Sequence, residues 1–357
     1  GADSDFEFER QKAKTVAAIV AMNADIVGLL EIENNGFAEG SAIADLVEGI
    51  NAIMGAGTYS IVNPGAAIGT DAITVAFIYK PSVVSLAGPP QILDSSNSIS
   101  DGNGVLFVDT KNRPVLVQEF ALVENGATLV ISVNHLKSKG SDCGVGDDDT
   151  TTGQGNCNLT RTRAAQALSA FLEAQFPDSA TLIIGDLNSY AKEDPISALE
   201  QAGYTNLVNY FGGDAAYSYN FRGLLGYLDH ALGNDKALAK VVDVTEWHIN
   251  ADEPIVLDYN VEFKEPANII NYYSDDAYRM SDHDPVVIAL LLEAEVVAIA
   301  GDVDGNGNVD VNDYYAFFAS YGSSVDDAAY NEAAGMNSNG IIDMLDFQLW
   351  YQVYLAQ

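Results

Sequence analysis

A mixed α/β sandwich is the fold class this sequence predicts, on three observations. Apolar runs of strand length alternate with stretches of helical periodicity, and hairpins follow them. One run, Thr181-Leu182-Ile183-Ile184-Gly185, carries no charge and reads as a strand buried on both faces. Of the 357 residues, 48% are hydrophobic and 19% charged, which describes a globular chain with a large core and a small extra domain.

Taken in order, Phe6 to Met22 is a helix with Val16, Ile19 and Val20 as its apolar stripe. Asp25 to Glu33 is the first strand, Ser41 to Met54 a second helix, and Ala72 to Tyr79 a strand stopped by Pro81. Ser95 to Gly104 is loop. Arg113-Pro114 opens the strand Val115 to Leu122, and Glu124-Asn125-Gly126 turns it into the strand ending at His135. Arg161 to Phe176 is helical. Arg161 and Arg163 sit against the dipole in its first turn, which points to a ligand anion or an acidic neighbour. Asp194 to Ala202 is a further helix, and Tyr217 to Gly223 and Tyr227 to Leu232 are strands. Trp247 to Tyr278 is loop-rich, and Val286 to Leu292 closes the domain.

Chemistry gathers at the strand ends. Gly185 allows a tight turn, and Asp186 and Asn188 follow with one residue between them, so both side chains leave an extended segment on one side. Alone, this is an ordinary Asx-turn. Other strand ends repeat the pattern: Glu31 and Glu33 after Leu29-Leu30, Asn134-His135, Asp229-His230, and Ser281-Asp282-His283-Asp284-Pro285. Polar groups converging at a sheet edge are how metal-assisted hydrolysis sites are built. Bland readings hold for three of these residues. His230 faces the core or a neighbour rather than the site, His248 is a surface residue without a motif, and Glu33 faces solvent, with a second metal ligand as its alternative.

The formal net charge is −35, from 51 acidic and 16 basic residues. Such a chain repels nucleic acid unless metal ions and a local basic patch intervene. Lys137, Lys139, Arg161 and Arg163 cluster around His135 and its loop and form the candidate patch, with internal pairing as the alternative. Cys143 and Cys157 are the only cysteines and share one Gly/Asp/Thr-rich loop. A bridge closing it contributes roughly 3 kcal/mol and implies an oxidising compartment. No apolar run reaches the length of a membrane span. The tail from Asp302 places Asp302, Asp304, Asn306, Asn308, Asp310 and Asp313 in the pattern of a calcium loop, with Gly307 at its sixth position. A weaker second copy offers Asn337, Asn339 and Asp346, with Gly335 in place of its first carboxylate.

With Glu31, His135, Asp186, Asn188, Asp229, Asp282 and His283 in this order, residues 1–292 resemble the endonuclease/exonuclease/phosphatase superfamily. They are most similar to secreted bacterial nucleases that share the wording Asn134-His135-Leu136-Lys137-Ser138-Lys139-Gly140. The resemblance implies a deoxyribonuclease-like four-layer sandwich of two mixed sheets flanked by helices. It implies Glu31 as ligand of Mg²⁺ or Mn²⁺, with Asp282 close to metal or phosphate. Asp186 and Asn188 would orient the attacking water. His135 and His283 would share proton transfer and phosphate binding, Asp229 would orient one of them, and Arg113 would contact phosphate. Residues 301–357, after a linker at 293–300, resemble a dockerin, which implies Ca²⁺ and a cohesin-like partner.

The expected function is a secreted, metal-dependent endonuclease on DNA or RNA. The alternatives are a phosphatase or lipid phosphodiesterase, or a structural assembly protein built on a clipped nuclease fold. The superfamily begins with a strand that this chain lacks, which implies a filler supplied by a cleaved upstream peptide or a neighbouring chain.

Overall fold

The computed structural model describes residues 2–148, 153–293 and 299–356. The chain divides into two compact units, residues 1–293 and 294–357. Most of the expected linker lies outside the described residues.

Helix α1 (Asp5–Met22) starts the first unit; its N-cap Ser4 accepts from the Glu7 N–H, and left-handed Asn23 ends it. Strand β1 (Ile26–Glu33) leads to α2 (Ala42–Met54), capped by Ser41, then to β2 (Ser60–Ile61) and β3 (Ile73–Tyr79). Short strands β4 (Val84–Leu86), β5 (Gln91–Leu93), β6 (Ser100–Asp101) and β7 (Gly104–Val105) follow. The long pair β8 (Val115–Leu122) and β9 (Thr128–His135) comes next. Helix α3 (Asn158–Gln175) crosses over to β10 (Thr181–Asp186), so β9 and β10 run parallel. After α4 (Asp194–Gln201) come β11 (Thr205–Asn206), α5 (Leu207–Gly212), and the hairpin β12 (Tyr219–Phe221) and β13 (Leu224–Gly226). Then β14 (Asp229–Gly233), α6 (Asp235–Leu238), β15 (Val241–Glu246), α7 (Pro266–Asn271) and β16 (Val286–Leu290) complete the unit.

The architecture is α/β, with a mixed sheet flanked by helices. Its order is β11-β14-β10-β9-β8-β4, with β5 also on β8. An antiparallel sheet β1-β3-β2 packs against it, and β15 pairs with β16. Period-2 alternation sorts the strands between two cores. Leu116, Phe120, Ile131, Val133 and Leu182 face Val27, Phe77 and Val75 of the smaller sheet. Val115, Val117, Val130 and Ile183 face Ala164, Leu168 and Leu172 of α3 and Ile196 and Leu199 of α4. Strand β15 was not anticipated: its side chains are largely exposed, so no apolar run announces it.

Between β1 and β16 lies a cavity of about 660 Å³. Its walls are the consecutive residues Asp25 to Glu31 on one side and Met280 to Leu290 on the other. A strand that presents a face lines a cavity with alternate residues, so unbroken runs mean that both strands present edges. Among the described residues, β1 pairs only with β3 and β16 only with β15. Phe120, Leu129, Ile131, Leu182 and Ile184 form the apolar floor.

Cys143 and Cys157 are joined by a disulfide with a Cα–Cα separation of 5.2 Å. Asp147 inside that loop accepts from the Leu159 and Thr160 N–H groups, so it caps α3 and supplies the anion its dipole favours. In the second unit, α8 (Val311–Ser320) and α9 (Met344–Leu355) each begin with an Asp-x-x-Asp capping box, Asp310/Asp313 and Asp343/Asp346. Val303, Phe317, Ala334, Ile342 and Trp350 make its core, and the Trp350 indole N–H donates to the Gly301 carbonyl at 2.7 Å.

Candidate active site

Register alone assembles the centre. His135 of β9 stands beside Asp186 of β10, and Asp186 stands beside Asp229 of β14. One row across three strands thus carries an imidazole and two carboxylates. The row closes up at Gly185, whose φ is 117°. A Cβ there would collide with the Asn134 carbonyl oxygen, so the tight passage from strand to turn requires glycine.

Beyond it, Asn188 adopts left-handed φ of 48°. Its backbone N–H donates to Asp186 Oδ1 at 2.7 Å, and its side-chain amide donates to Asp186 Oδ2 at 2.9 Å and to the Leu136 carbonyl at 3.0 Å. Asp186 is therefore held rigidly and largely out of water. Burial, and then the neighbouring Asp229, push its pKa up to about 7.

The two histidines are polarised oppositely. His135 is 3% exposed, and burial, with the nearby Arg113 and His283 charges, lowers its pKa to about 3. Its Nε2 lies 3.4 Å from Arg113 Nη1 and 3.6 Å from Asp186 Oδ2. Accepting from Arg113 leaves the proton on Nδ1, which is buried with no partner among the described residues and belongs to a ring that lines the cavity. Arg113 is pinned by Asp71 at 2.9 Å, a contact with no sequence signal.

His283 Nδ1 lies 2.7 Å from Asp229 Oδ2, which also accepts from the Ser218 hydroxyl at 2.6 Å. Burial opposes its charge, but Asp229, then Asp186 and Asp282, outweigh burial and raise its pKa to about 10. Asp229 therefore orients His283, the question the sequence left open. Tyr219 covers the imidazole, ring centroids 4.5 Å apart.

Behind His283, buried Asp284 accepts from the backbone N–H groups of Ile249, Asn250 and Ala251, and it pairs with His248 Nδ1 at 2.9 Å. Asn250 donates to the His283 carbonyl at 2.6 Å. Sequence reasoning passed over Asp284, Asn250, Ser218 and Tyr219. The Asp284-Pro285 that ends the histidine motif was the one available pointer. His248 is not a bare surface residue, since it also stacks on Tyr217 at 4.0 Å. His230 is buried, with Nε2 2.7 Å from the Ser189 carbonyl. Glu33 is exposed.

Glu31 sits in a β-bulge with φ of 59°, its side chain 71% exposed and 4.0 Å from His135 Nε2. Asp282 is exposed nearby at the cavity mouth. Two carboxylates without thiolates suit a hard divalent cation that keeps part of its water. Among the described residues, groups of three potential ligands lie elsewhere, at Asp3, Glu7 and Glu262 and at Asp302, Asp304 and Asp313.

The basic cluster expected around His135 is mostly spent internally. Arg161 is fully buried and donates to Ser189 Oγ and to the Lys137, Asn156 and Gln154 carbonyls. Arg163 pairs with Asp101, and Lys139 with Glu193. Lys137 Nζ meets the hydroxyls of Ser138 and Ser141.

Comparisons with known proteins bear on the family and the fold. The profile of the Endonuclease/Exonuclease/phosphatase family matches residues 4–283. No curated protein matches the chain. A mannosyl-6-phosphatase from Bacteroides thetaiotaomicron superposes with a TM-score of 0.53 at 13% identity, covering 80% of this chain and 92% of its own. A family protein from Leptotrichia buccalis superposes with a TM-score of 0.50 at 11% identity, covering 81% and 96%. At such identities the likeness is one of fold.

Because the His283 pKa in the fold lies above the ordinary 6.5, its pairing with Asp229 stabilises the protein fully below about pH 6.5, and that contribution is lost as pH rises through about 10. Proton NMR of the imidazoles should show His283 charged at pH 8. In Asp229→Asn it should titrate near or below 6.5; an unshifted titration would show that Asp229 does not hold the charge.

Proposed function

The chain belongs to the Endonuclease/Exonuclease/phosphatase family, and from that premise we propose a secreted, divalent-metal-dependent endonuclease acting on DNA or RNA. The row His135–Asp186–Asp229 with His283 over it is the observation that carries this reading. Mg²⁺ or Mn²⁺ held by Glu31 and Asp282 would neutralise phosphate charge. The chain's own groups supply the remainder. Asp186, poised near 7 and clamped by Asn188, takes a proton from the attacking water. His283, kept cationic by Asp229, donates through Nε2 to a phosphate oxygen. Neutral His135, with Arg113 beside it, faces the same space. The disulfide supports an oxidising, extracellular setting.

Plasmid nicking with Mg²⁺ or Mn²⁺, abolished by EDTA, tests the reading. Alanine at Asp186, His135 or His283 should lower turnover at least ~10²-fold. Preference for phosphomonoesters would move the assignment to the phosphatase reading, and metal-independent inertness to the structural one.

For the second unit, we read Asp302, Asp304 and Asp313 as a Ca²⁺ site of a dockerin-like module that engages a cohesin-like partner. Their ligand oxygens gather within 4.8 Å, and such carboxylates repel until a cation arrives. Asn306, Asn308 and Asp310 complete that loop, while Asn337, Asn339 and Asp346 form a weaker copy. Proteolysis of residues 299–356 should accelerate in EGTA and slow in Ca²⁺. Equal digestion in both would remove the calcium role.

The cavity between the unpaired edges of β1 and β16 we read as the berth of one further strand. A strand there would join the flanking sheets and bring an acceptor to the orphaned His135 Nδ1. Denaturing mass spectrometry of active native material should reveal a co-purifying peptide. A fully active monomer of these 357 residues alone refutes the berth.

A further inference from the structure

The hairpin β12–β13 is exposed beside His283, and the large side chains at its tip, Phe221, Leu224 and Leu225, pack into neither core of the first unit. Tyr219 pairs by a backbone bridge with His283 and covers its ring at 4.5 Å. Phe221, two residues on and therefore on the same face, lies 6.4 Å from Tyr219 with ring planes only 20° apart. The Arg222 guanidinium then sits 5.2 Å over Phe221. Planar groups thus run in file from the site to the hairpin tip. Phe221 is 49% exposed, and Leu224, opposite it in the hairpin, is 74% exposed.

The tip is costly to build. Arg222 and Gly223 have φ of 55° and 85°, a two-residue turn of the kind that favours Asn-Gly. Arginine in the left-handed region is uncommon. In a chain of net charge −35, Arg222 also has no ion pair among the described residues. An exposed aromatic file ending in an unneutralised guanidinium complements a flat, uncharged ring attached to an anionic backbone.

Resting on the endonuclease reading above, we propose that this hairpin is a nucleobase-stacking platform: bases flanking the scissile phosphodiester stack on Phe221 and its neighbours, and Arg222 meets the next phosphate. The preferred substrate is a strand whose bases are free to turn outward, single-stranded or locally opened within a supercoiled duplex, because a base paired within a duplex does not offer its face.

The test compares oligothymidylate with an abasic deoxyribose-phosphate oligomer of equal length, with bis(p-nitrophenyl) phosphate as the small substrate. For the wild type, KM should be roughly 5- to 150-fold higher for the abasic oligomer, the range that stacking of one base commands. Phe221→Ala should collapse the ratio toward one by weakening oligothymidylate binding, and Phe221→Trp should preserve it. Arg222→Gly, which suits the turn, should raise KM for both oligomers and flatten its salt dependence. Equal KM values for the two oligomers in the wild type, or an unchanged ratio in Phe221→Ala, would overturn the platform while leaving phosphodiester hydrolysis intact. Failure of the wild type on all three substrates would instead overturn the endonuclease reading, and the platform with it.

Discussion

The contact on which this site depends is the approach of Gly185 to the Asn134 carbonyl, where parallel β9 and β10 meet the turn. Because no side chain fits there, the two strand ends stay in register, and His135 and Asp186 stand side by side. Antiparallel β14 then brings Asp229 level with Asp186. A slip of one residue in either pairing would send these side chains to the opposite face of the sheet. The geometry of the candidate site is a consequence of sheet register, with the loops adding His283 from above.

Register also sets the electrostatics. Burial and the neighbouring Asp229 raise the proton affinity of Asp186, and Asp229 in turn holds His283 charged. His135, across the row and next to Arg113, stays neutral. Three titratable groups within one small volume are thereby pushed to different ionisation states near neutral pH, which is the arrangement acid–base chemistry requires. The network behind His283, with Asp284 gathering three backbone N–H groups, keeps that loop from relaxing once the charges form.

The acidic surface has a cost that the basic residues do not offset. Arg161 secures the disulfide-closed loop, Arg163 ties the start of α3 to the β6–β7 hairpin, and Arg10 and Lys14 tie α1 to the segment 258–278 through carbonyls and Tyr273. These cations act within the fold, where burial makes each hydrogen bond to a carbonyl more valuable than a solvated charge. Under the proposed function, recognition of an anionic substrate would then fall to Arg113, to Arg222 at the hairpin tip, to the cationic His283 and to bound cations.

What the sequence by itself determined is the long buried strands, the order of chemical groups at their ends and the disulfide loop. Uncharged apolar runs, glycine at a tight turn and Asp-x-Asn spacing are local signals, and they start β10 at Thr181 and end β9 at His135, as the structure does. Tertiary structure alone decided three things. It chose His283 over His135 as the partner of Asp229, since both lie far from Asp229 in sequence and only strand placement brings one of them to 2.7 Å. It assigned Arg161 to the interior, because the Lys137, Gln154 and Asn156 carbonyls that bind it come from two stretches that only the folded chain brings together. And it left facing edges on β1 and β16, because hydrogen bonding between strands depends on which segments meet, a relation no single stretch of residues encodes.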